Sequence, residues 1–361
     1  MNASRVERIR ESMRVRRLDA LLLTDLDSVR YLSGFTGSTA TVVITPDRAI
    51  IFVDSRYVLQ AATDCPGFEV KKYSGEVIKA VSELVNELAP TRLGFEADHV
   101  TYSTHRKLRS LTSKSTRLAP TRRLLEPLKL VKEPAEIEKI REAAALADEC
   151  FSYMLTRIAP GRSERDLAFD IYEFMYKHGA DQVAFESIVA AGPHAAFPHF
   201  KPTDTLVEPG QMVKLDFGAN VRMYNSDITR TVFAGEPDDK QREVYGVVLE
   251  AQLRAIDAIK PGAPGKDVDA VAREFIASRG YGDYFGHGLG HSIGMGIHDG
   301  PGLSPTSDTV LASGMVMTVE PGIYIEGWGG VRIEDDVLVT DTGAEVLTGS
   351  PKDIIVVPRS R

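Results

Sequence analysis

The 361-residue sequence has only two cysteines, Cys65 and Cys150. They stand far apart and in no motif, which excludes a disulfide framework and a cysteine-based zinc site. They read as buried or idle thiols of a protein kept in a reducing cytoplasm. No apolar run approaches the ~18 residues of a membrane span. Residues 1–18 are charged and lack the apolar core of a signal peptide. Positive charge is in deficit too, with 43 Lys and Arg against 51 Asp and Glu, a net −8. That balance favours solubility and argues against a nucleic-acid-binding surface. What remains is an ordinary globular composition, 43% apolar and 26% charged, in a chain long enough for two domains and a large core.

The first third alternates helical and strand patterns. Residues 4–17 predict a helix, with Val6, Ile9 and Met13 apolar. Ala20–Thr24, Thr41–Thr45 and Ile50–Asp54 predict short strands, and Val77–Leu88 carries a helical stripe of Val77, Val81, Leu84, Val85 and Leu88. Such alternation predicts a small α/β domain with helices on both faces of a sheet. A basic stretch with Pro120 and Pro127 follows, and Pro134 opens a long helix, where its missing N–H needs no partner. The domain boundary is placed at 120–133, giving an N-terminal domain over 1–125 and a second domain over 126–361.

The second domain contains a repeat. Ile158-Ala159-Pro160-Gly161 ends one helix, and Ile259-Lys260-Pro261-Gly262 repeats that grammar 101 residues later. The same offset aligns Asp166 with Asp267, Phe174 with Phe275 and Gly179 with Gly280. Two such halves predict a pseudo-symmetric α+β unit around an antiparallel sheet, with a shared site at the interface between halves.

Four acids stand beside strand-like, glycine-marked runs. Asp216 lies inside Val213–Gly218, where aspartate is disfavoured in a strand. Asp227 opens Ile228–Val232, Glu320 follows Val316–Val319, and Glu334 sits in Val331–Val337. Their spacing predicts two hairpins, each with a carboxylate on either arm. Four buried carboxylates are prohibitive without cations, and one or two divalent metals resolve that. Individually, Asp227 and Glu320 also read as turn residues and Glu334 as a solvated strand residue. Five of the eight histidines, His194, His199, His287, His291 and His298, lie near these acids in sequence. Glycines around His287 and His291 would let backbone approach a ligand closely.

Several motifs there are decoys. Gly290-His291-Ser292-Ile293-Gly294 matches G-x-S-x-G, which needs a strand before the serine and a helix after it, but this stretch has glycines on both sides and no helix signal. Gly286–Gly290 lacks the helix and acidic follow-up of a dinucleotide site. His287 and His291 share the spacing of H-E-x-x-H, but Gly288 replaces its glutamate.

Together, Leu215–Gly218, Ser226–Thr231, His287–Asp299, Thr318–Tyr324 and Arg332–Asp336 resemble the proline-specific "pita-bread" metallopeptidases, Xaa-Pro dipeptidase (prolidase) and aminopeptidase P. Residues 1–125, with Gly34–Ser38 and Asp54–Tyr57, look like their N-terminal domain, a looser match. The resemblance implies an α+β pita-bread catalytic domain behind a smaller α/β domain. It implies hydrolysis of Xaa-Pro bonds in short peptides, with a strict Xaa-Pro dipeptidase or an inactive binding protein on the same fold as alternatives. Methionine aminopeptidases usually lack the N-terminal domain, and creatinase has lost the metal ligands.

Carried over by motif, Asp216, Asp227, His291, Glu320 and Glu334 are metal ligands, with Asp227 and Glu334 bridging two ions. Manganese suits such oxygen-rich ligation, with cobalt, zinc or iron as alternatives. Two ions would hold a shared hydroxide as nucleophile. Glu320, His199 and His298 are the implied catalytic residues, and His287, Tyr324 and Arg332 line the substrate site. Gly302 stands where some prolidases have an arginine for the proline carboxylate, which predicts tolerance of longer peptides. A homodimer in the cytoplasm is implied, with no nucleic-acid or membrane partner.

Overall fold

The computed structural model describes residues 2–357. The chain divides into two compact units between Lys129 and Leu130.

In the first unit, apolar runs become strands buried along their whole length: β1 (Ala20–Leu23), β2 (Thr41–Ile44) and β3 (Ala49–Val53). With β4 (Glu69–Lys72), β5 (Arg92–Glu96) and β6 (Arg117–Thr121) they form a six-stranded sheet of order β4-β3-β2-β1-β5-β6. β2 runs antiparallel to both neighbours and the remaining pairs are parallel. The helices are α1 (Asn2–Val15), α2 (Leu26–Ser33), α3 (Val58–Asp64), α4 (Val77–Leu88), α5 (Tyr102–Leu111) and α6 (Glu126–Leu130). The α4 stripe packs Ile78, Val81, Leu84 and Val85 onto Leu22, Val43 and Ile50 of the sheet.

The second unit is built twice over. Helix α7 (Pro134–Arg157) starts at Pro134 behind a Glu133–Glu136 capping box, and α9 (Asp239–Ala258) starts behind an Asp238–Gln241 box. Helices α8 (Glu164–Lys177) and α10 (Gly265–Ser278) are both 14 residues long and 101 apart at each end. The glycines before them, Gly161 and Gly262, both sit at φ +89°, a left-handed turn that glycine adopts without strain.

Strands follow each helix pair. The first half supplies β7 (Gln182–Val183), β8 (Ile188–Ala191), β9 (Met212–Phe217), β10 (Ala219–Val221), β11 (Tyr224–Asn225) and β12 (Ile228–Phe233). The second supplies β13 (Val316–Val319), β14 (Gly322–Ile325), β15 (Gly329–Arg332), β16 (Asp335–Val339) and β17 (Ala344–Val346). Long antiparallel pairs β9–β12 and β13–β16 carry the acids. They are not the simple hairpins expected from the spacing, because a shorter pair interrupts each: β10–β11 in the first half and β14–β15 in the second. The detour after β9 passes through Gly218, where a Cβ would stand 1.8 Å from the Ser226 carbonyl oxygen. The halves join where the Glu334 N–H donates to the Thr229 carbonyl at 3.1 Å.

The helices cover one face of these strands. Phe151, Met154, Leu167 and Ile171 of α7 and α8 pack on Val213, Leu215 and Phe217. Val244, Val248, Val268 and Ala272 of α9 and α10 share a second core with Met317, Val319 and Val337. This is the α+β pita-bread arrangement that the resemblance implies. Among the described residues no helix is long and apolar enough to cross a membrane.

Candidate metal centre

Strand alternation decides what faces the cleft. On β9, Val213, Leu215 and Phe217 enter the core, so Lys214 and Asp216 take the opposite face. Thr229 pairs with Asp216 in the antiparallel register, and Asp227 stands one residue before β12. Glu320 directly follows β13 and Glu334 directly precedes β16. Asp216, Asp227, His291, Glu320 and Glu334 converge on one cavity of about 660 Å³, which also takes in His199, His287, His298 and Arg332. Phe185, Ile188, Pro198, Phe200 and Ile297 form its apolar wall.

Asp227, His291 and Glu334 each offer a ligand atom, and these atoms lie within 4.8 Å of one another. His291 Nε2 stands 3.6 Å from Asp227 Oδ2 and 3.6 Å from Glu320 Oε1. Its Nδ1 is 3.3 Å from the Ser292 carbonyl, so Nδ1 carries the proton and Nε2 presents a lone pair toward the acids. Asp227 Oδ1 is buried and accepts no hydrogen bond. Burial, then the charges of Asp216, Asp336 and Glu320, hold the Asp227 carboxyl well above the usual range. Glu334 is raised in the same way by burial, Asp227, Glu320 and Asp216. Burial also raises Glu320, against the lowering pull of His291 and Arg332. An unpartnered carboxylate oxygen, clustered acids that repel one another and an imidazole lone pair aimed among them fit one or two divalent cations. Asp216 is more fully partnered, because Arg332 Nη2 donates to its Oδ2.

Arg332 organises the wall beside this cluster. It is 3% exposed, and its other donors reach Thr229 Oγ1 at 2.9 Å, the Pro198 carbonyl at 3.1 Å and Tyr324 Oη at 2.8 Å. Tyr324 donates onward to His287 Nε2 at 2.9 Å, because His287 Nδ1 gives its proton to the Gly288 carbonyl at 2.7 Å. Burial and Arg332 push His287 down to about 4, so the ring is neutral at physiological pH, and burial pushes Tyr324 up to about 12. His287 and Arg332 face the cavity, whereas Tyr324 lies behind them and is not among the lining residues. His298 lines the cavity beside His291, ring centroids 4.1 Å apart. His199 is exposed and also lines the cavity. His194 lies outside the cavity, its Nδ1 2.8 Å from Glu164 Oε1.

Of the glycines around His291, Gly288 and Gly290 line the cavity, and Gly290 with Gly302 also serves packing. A Cβ on Gly290 would come within 2.0 Å of the Thr318 carbonyl oxygen, and one on Gly302 within 2.4 Å of the Gly290 carbonyl oxygen. They let three stretches of backbone pack closely, Gly290 against Leu303 and Ser292 against Met317, and thereby hold His291 over β13. Ser292 is fully buried and no helix follows it, so this segment is not a nucleophile elbow.

Two threonines escape the sequence reading. Thr229 donates to Glu334 at 2.5 Å, and Thr318 accepts from the His291 N–H at 3.0 Å. Each stands two positions from a clustered acid, Asp227 or Glu320, and so faces the same side of its strand. Strand alternation is the signal that finds them.

Known proteins match over the whole chain. The profile of metallopeptidase family M24 matches residues 138–341, and the creatinase/prolidase N-terminal domain matches residues 5–131. The uncharacterized peptidase YqhT of Bacillus subtilis is 43% identical over 352 residues, 98% of this chain and 99% of that protein. The solved structure of an Xaa-Pro dipeptidase from Bacillus anthracis superposes with a TM-score of 0.96 at 45% identity, covering 99% of this chain and 100% of that one. An X-Pro aminopeptidase from Thermotoga maritima superposes with a TM-score of 0.90 at 40% identity, covering 96% and 100%.

Proposed function

This chain belongs to metallopeptidase family M24, and on that premise we propose that it hydrolyses the bond between a residue and a following proline in short peptides. The observation that carries this reading is the convergence of Asp227, His291 and Glu334 with Asp216 and Glu320 in one cleft with an apolar wall. Asp216, Asp227, His291, Glu320 and Glu334 would hold the one or two divalent ions, with Asp227 and Glu334 as the shared ligands. Manganese is the preferred metal and cobalt, zinc or iron substitute, as suits oxygen-rich ligation with one imidazole.

Bound divalent ions supply Lewis acidity, lowering the pKa of water at the site and polarising the scissile carbonyl. Glu320 takes the proton from the attacking water and passes it toward the departing prolyl nitrogen. His199 and His298, on the cavity surface, donate to the carbonyl oxygen as it gains negative charge. Neutral His287, fixed by Tyr324, and the bound guanidinium of Arg332 shape the substrate side. A bond to proline is a tertiary amide without an N–H. Phe185, Ile188, Phe200 and Ile297 offer the ring apolar surface and demand no such donor.

The cavity supports tolerance of peptides longer than two residues. Backbone crowding at Gly302 leaves no room there for an arginine that would hold a terminal carboxylate. Lys201, the other cation on the lining besides Arg332, is exposed and paired with Glu186 at 3.1 Å. The test offers Xaa-Pro, Xaa-Pro-Yaa and a longer Xaa-Pro peptide side by side, with each metal and with chelator. Metal-dependent cleavage of all three is expected. No hydrolysis with any metal overturns the peptidase, and cleavage of the dipeptide alone makes it a strict dipeptidase. We further propose a cytoplasmic homodimer, in keeping with two buried free thiols and with dimeric proline peptidases of the kind it resembles. Light scattering at micromolar concentration is expected to give twice the chain mass, and a monomer overturns the dimer.

A further inference from the structure

Lys214 is fully buried in the middle of β9, between Met212 and Asp216 on the cleft-facing side. A lysine so placed is costly unless its ammonium is well partnered. Among the described residues it makes no ion pair. Its Nζ donates to the Ala195 carbonyl at 3.2 Å and the Phe197 carbonyl at 2.6 Å, and faces the Tyr324 ring 5.1 Å from its centroid. The next carbonyl along, that of Pro198, accepts from Arg332 Nη1 at 3.1 Å. Two buried basic side chains thus hold the carbonyls of residues 195, 197 and 198, immediately before His199. The segment is also held by a 3-10 turn over Gly192–Ala196, by the Phe197 N–H bond to the His194 carbonyl at 3.0 Å, by His194 Nδ1 at 2.8 Å from Glu164, and by Ala195 buried in the core, but these act at or before Phe197. Among the described residues nothing bonds the exposed His199 ring, so its place over the cleft is inherited from the backbone before it.

The other histidine segment is held by the same device from a different element. Arg273 of α10, fixed by Asp269 at 2.7 and 2.8 Å, donates to the Phe285 carbonyl at 3.0 Å and the His287 carbonyl at 2.7 Å. In both halves, a basic side chain anchored on regular structure fixes main-chain carbonyls of an irregular segment that brings histidines to the cleft.

We propose that Lys214 is the positioning residue of His199. Its Nζ fixes the Ala195 and Phe197 carbonyls and so sets where the imidazole meets the substrate carbonyl. This rests on the reading that His199 donates to that carbonyl. Misplacement by about 1 Å is enough to cost a large part of such a contribution.

The test is a double-mutant cycle of Lys214→Met and His199→Ala in the metal-loaded enzyme. Lys214→Met keeps the apolar stem and removes the donor. It is expected to lower kcat by about 10- to 100-fold with KM within about threefold and metal content unchanged. In the His199→Ala background the same substitution is expected to change kcat less than about twofold. Equal losses in both backgrounds, or a wild-type kcat in Lys214→Met, overturn the proposal and leave the His199 reading standing. A wild-type kcat in His199→Ala overturns that reading and the proposal with it. A second readout uses the metal-free protein, in which histidine-selective NMR of Lys214→Met is expected to move the His199 signals and leave those of His291 in place. Unmoved His199 signals overturn the proposal. If Lys214→Met does not fold, Lys214→Leu, which likewise removes the donor, goes through the same cycle against the same outcomes.

Discussion

Two histidines five residues apart have different surroundings. His199 lines the cavity with no hydrogen bond to its ring among the described residues, whereas His194 leans on Glu164, a fully buried carboxylate that also accepts from the Ala191 N–H and from Thr203. A donor to a developing oxyanion matters more in the transition state than in the ground state. His199→Ala is therefore expected to lower kcat by about 10²–10³, the usual loss for one such donor, with bound metal nearly unchanged. His194→Ala is expected to lower the melting temperature and spare kcat. Steady-state kinetics with metal analysis on both variants decide it, and a severe loss of kcat only in His194→Ala reverses the assignment. The sequence brings both rings to one short stretch. Which one reaches the cleft depends on Glu164, 30 residues before His194, and that pairing is invisible to local pattern.

At the scale of elements, Arg230 ties the halves together. It sits on β12, 1% exposed, and donates to the carbonyls of Thr229 and Glu334, to Asp335, and to the carbonyls of Ser350 and Pro351. Its ion pair with Asp335, 0% exposed, is 2.7 Å long. Removing one partner of a buried pair leaves the other poorly compensated and costs about 3–5 kcal/mol. Lys352, Gln252 and Thr348 also reach Asp335, which puts the expected cost at the lower end. Arg230→Met is expected to lower unfolding free energy by about 3 kcal/mol in denaturant titration. A loss below about 1 kcal/mol, the range of an exposed pair, contradicts the picture. Element positions are largely legible in the sequence here. The α4 stripe, the Pro134 helix start and the 101-residue repeat follow from side-chain periodicity and turn chemistry, which act over a few residues. The detours β10–β11 and β14–β15 are not legible from the spacing of the acids, because a hairpin and an interrupted pair separate two residues equally well.

At the scale of the whole molecule, the acid cluster couples folding to metal and pH. A carboxyl whose folded pKa lies above its unfolded value holds more protons when folded, so stability falls as pH rises past the unfolded value of about 4. Burial and mutual repulsion place Asp227 and Glu334 in that class. His287, pushed down to about 4, works the other way below about 6.5. Comparison with Glu334→Gln cancels the histidine contribution. Without metal, Glu334→Gln is expected to melt above the wild type by a margin that widens as pH rises above about 4. With saturating manganese the order is expected to reverse, because binding to the folded state stabilises the wild type more. Melting curves across pH with and without metal check this, and a metal-free variant less stable than wild type at every pH contradicts it. By itself, the sequence determined the secondary-structure grammar, the doubled second domain and the identity of the acids and histidines worth attention, because these follow from local periodicity and residue chemistry. Only the tertiary structure decided that Asp227, His291 and Glu334 share one centre, that Arg332 binds Asp216 across 116 residues of chain, that Thr229 and Thr318 support the acids, and that Lys214 turns a strand position into a clamp on a distant loop. Those are contacts between segments far apart in the chain, set by strand register and by which backbones pack closely, and no local pattern of residues encodes them.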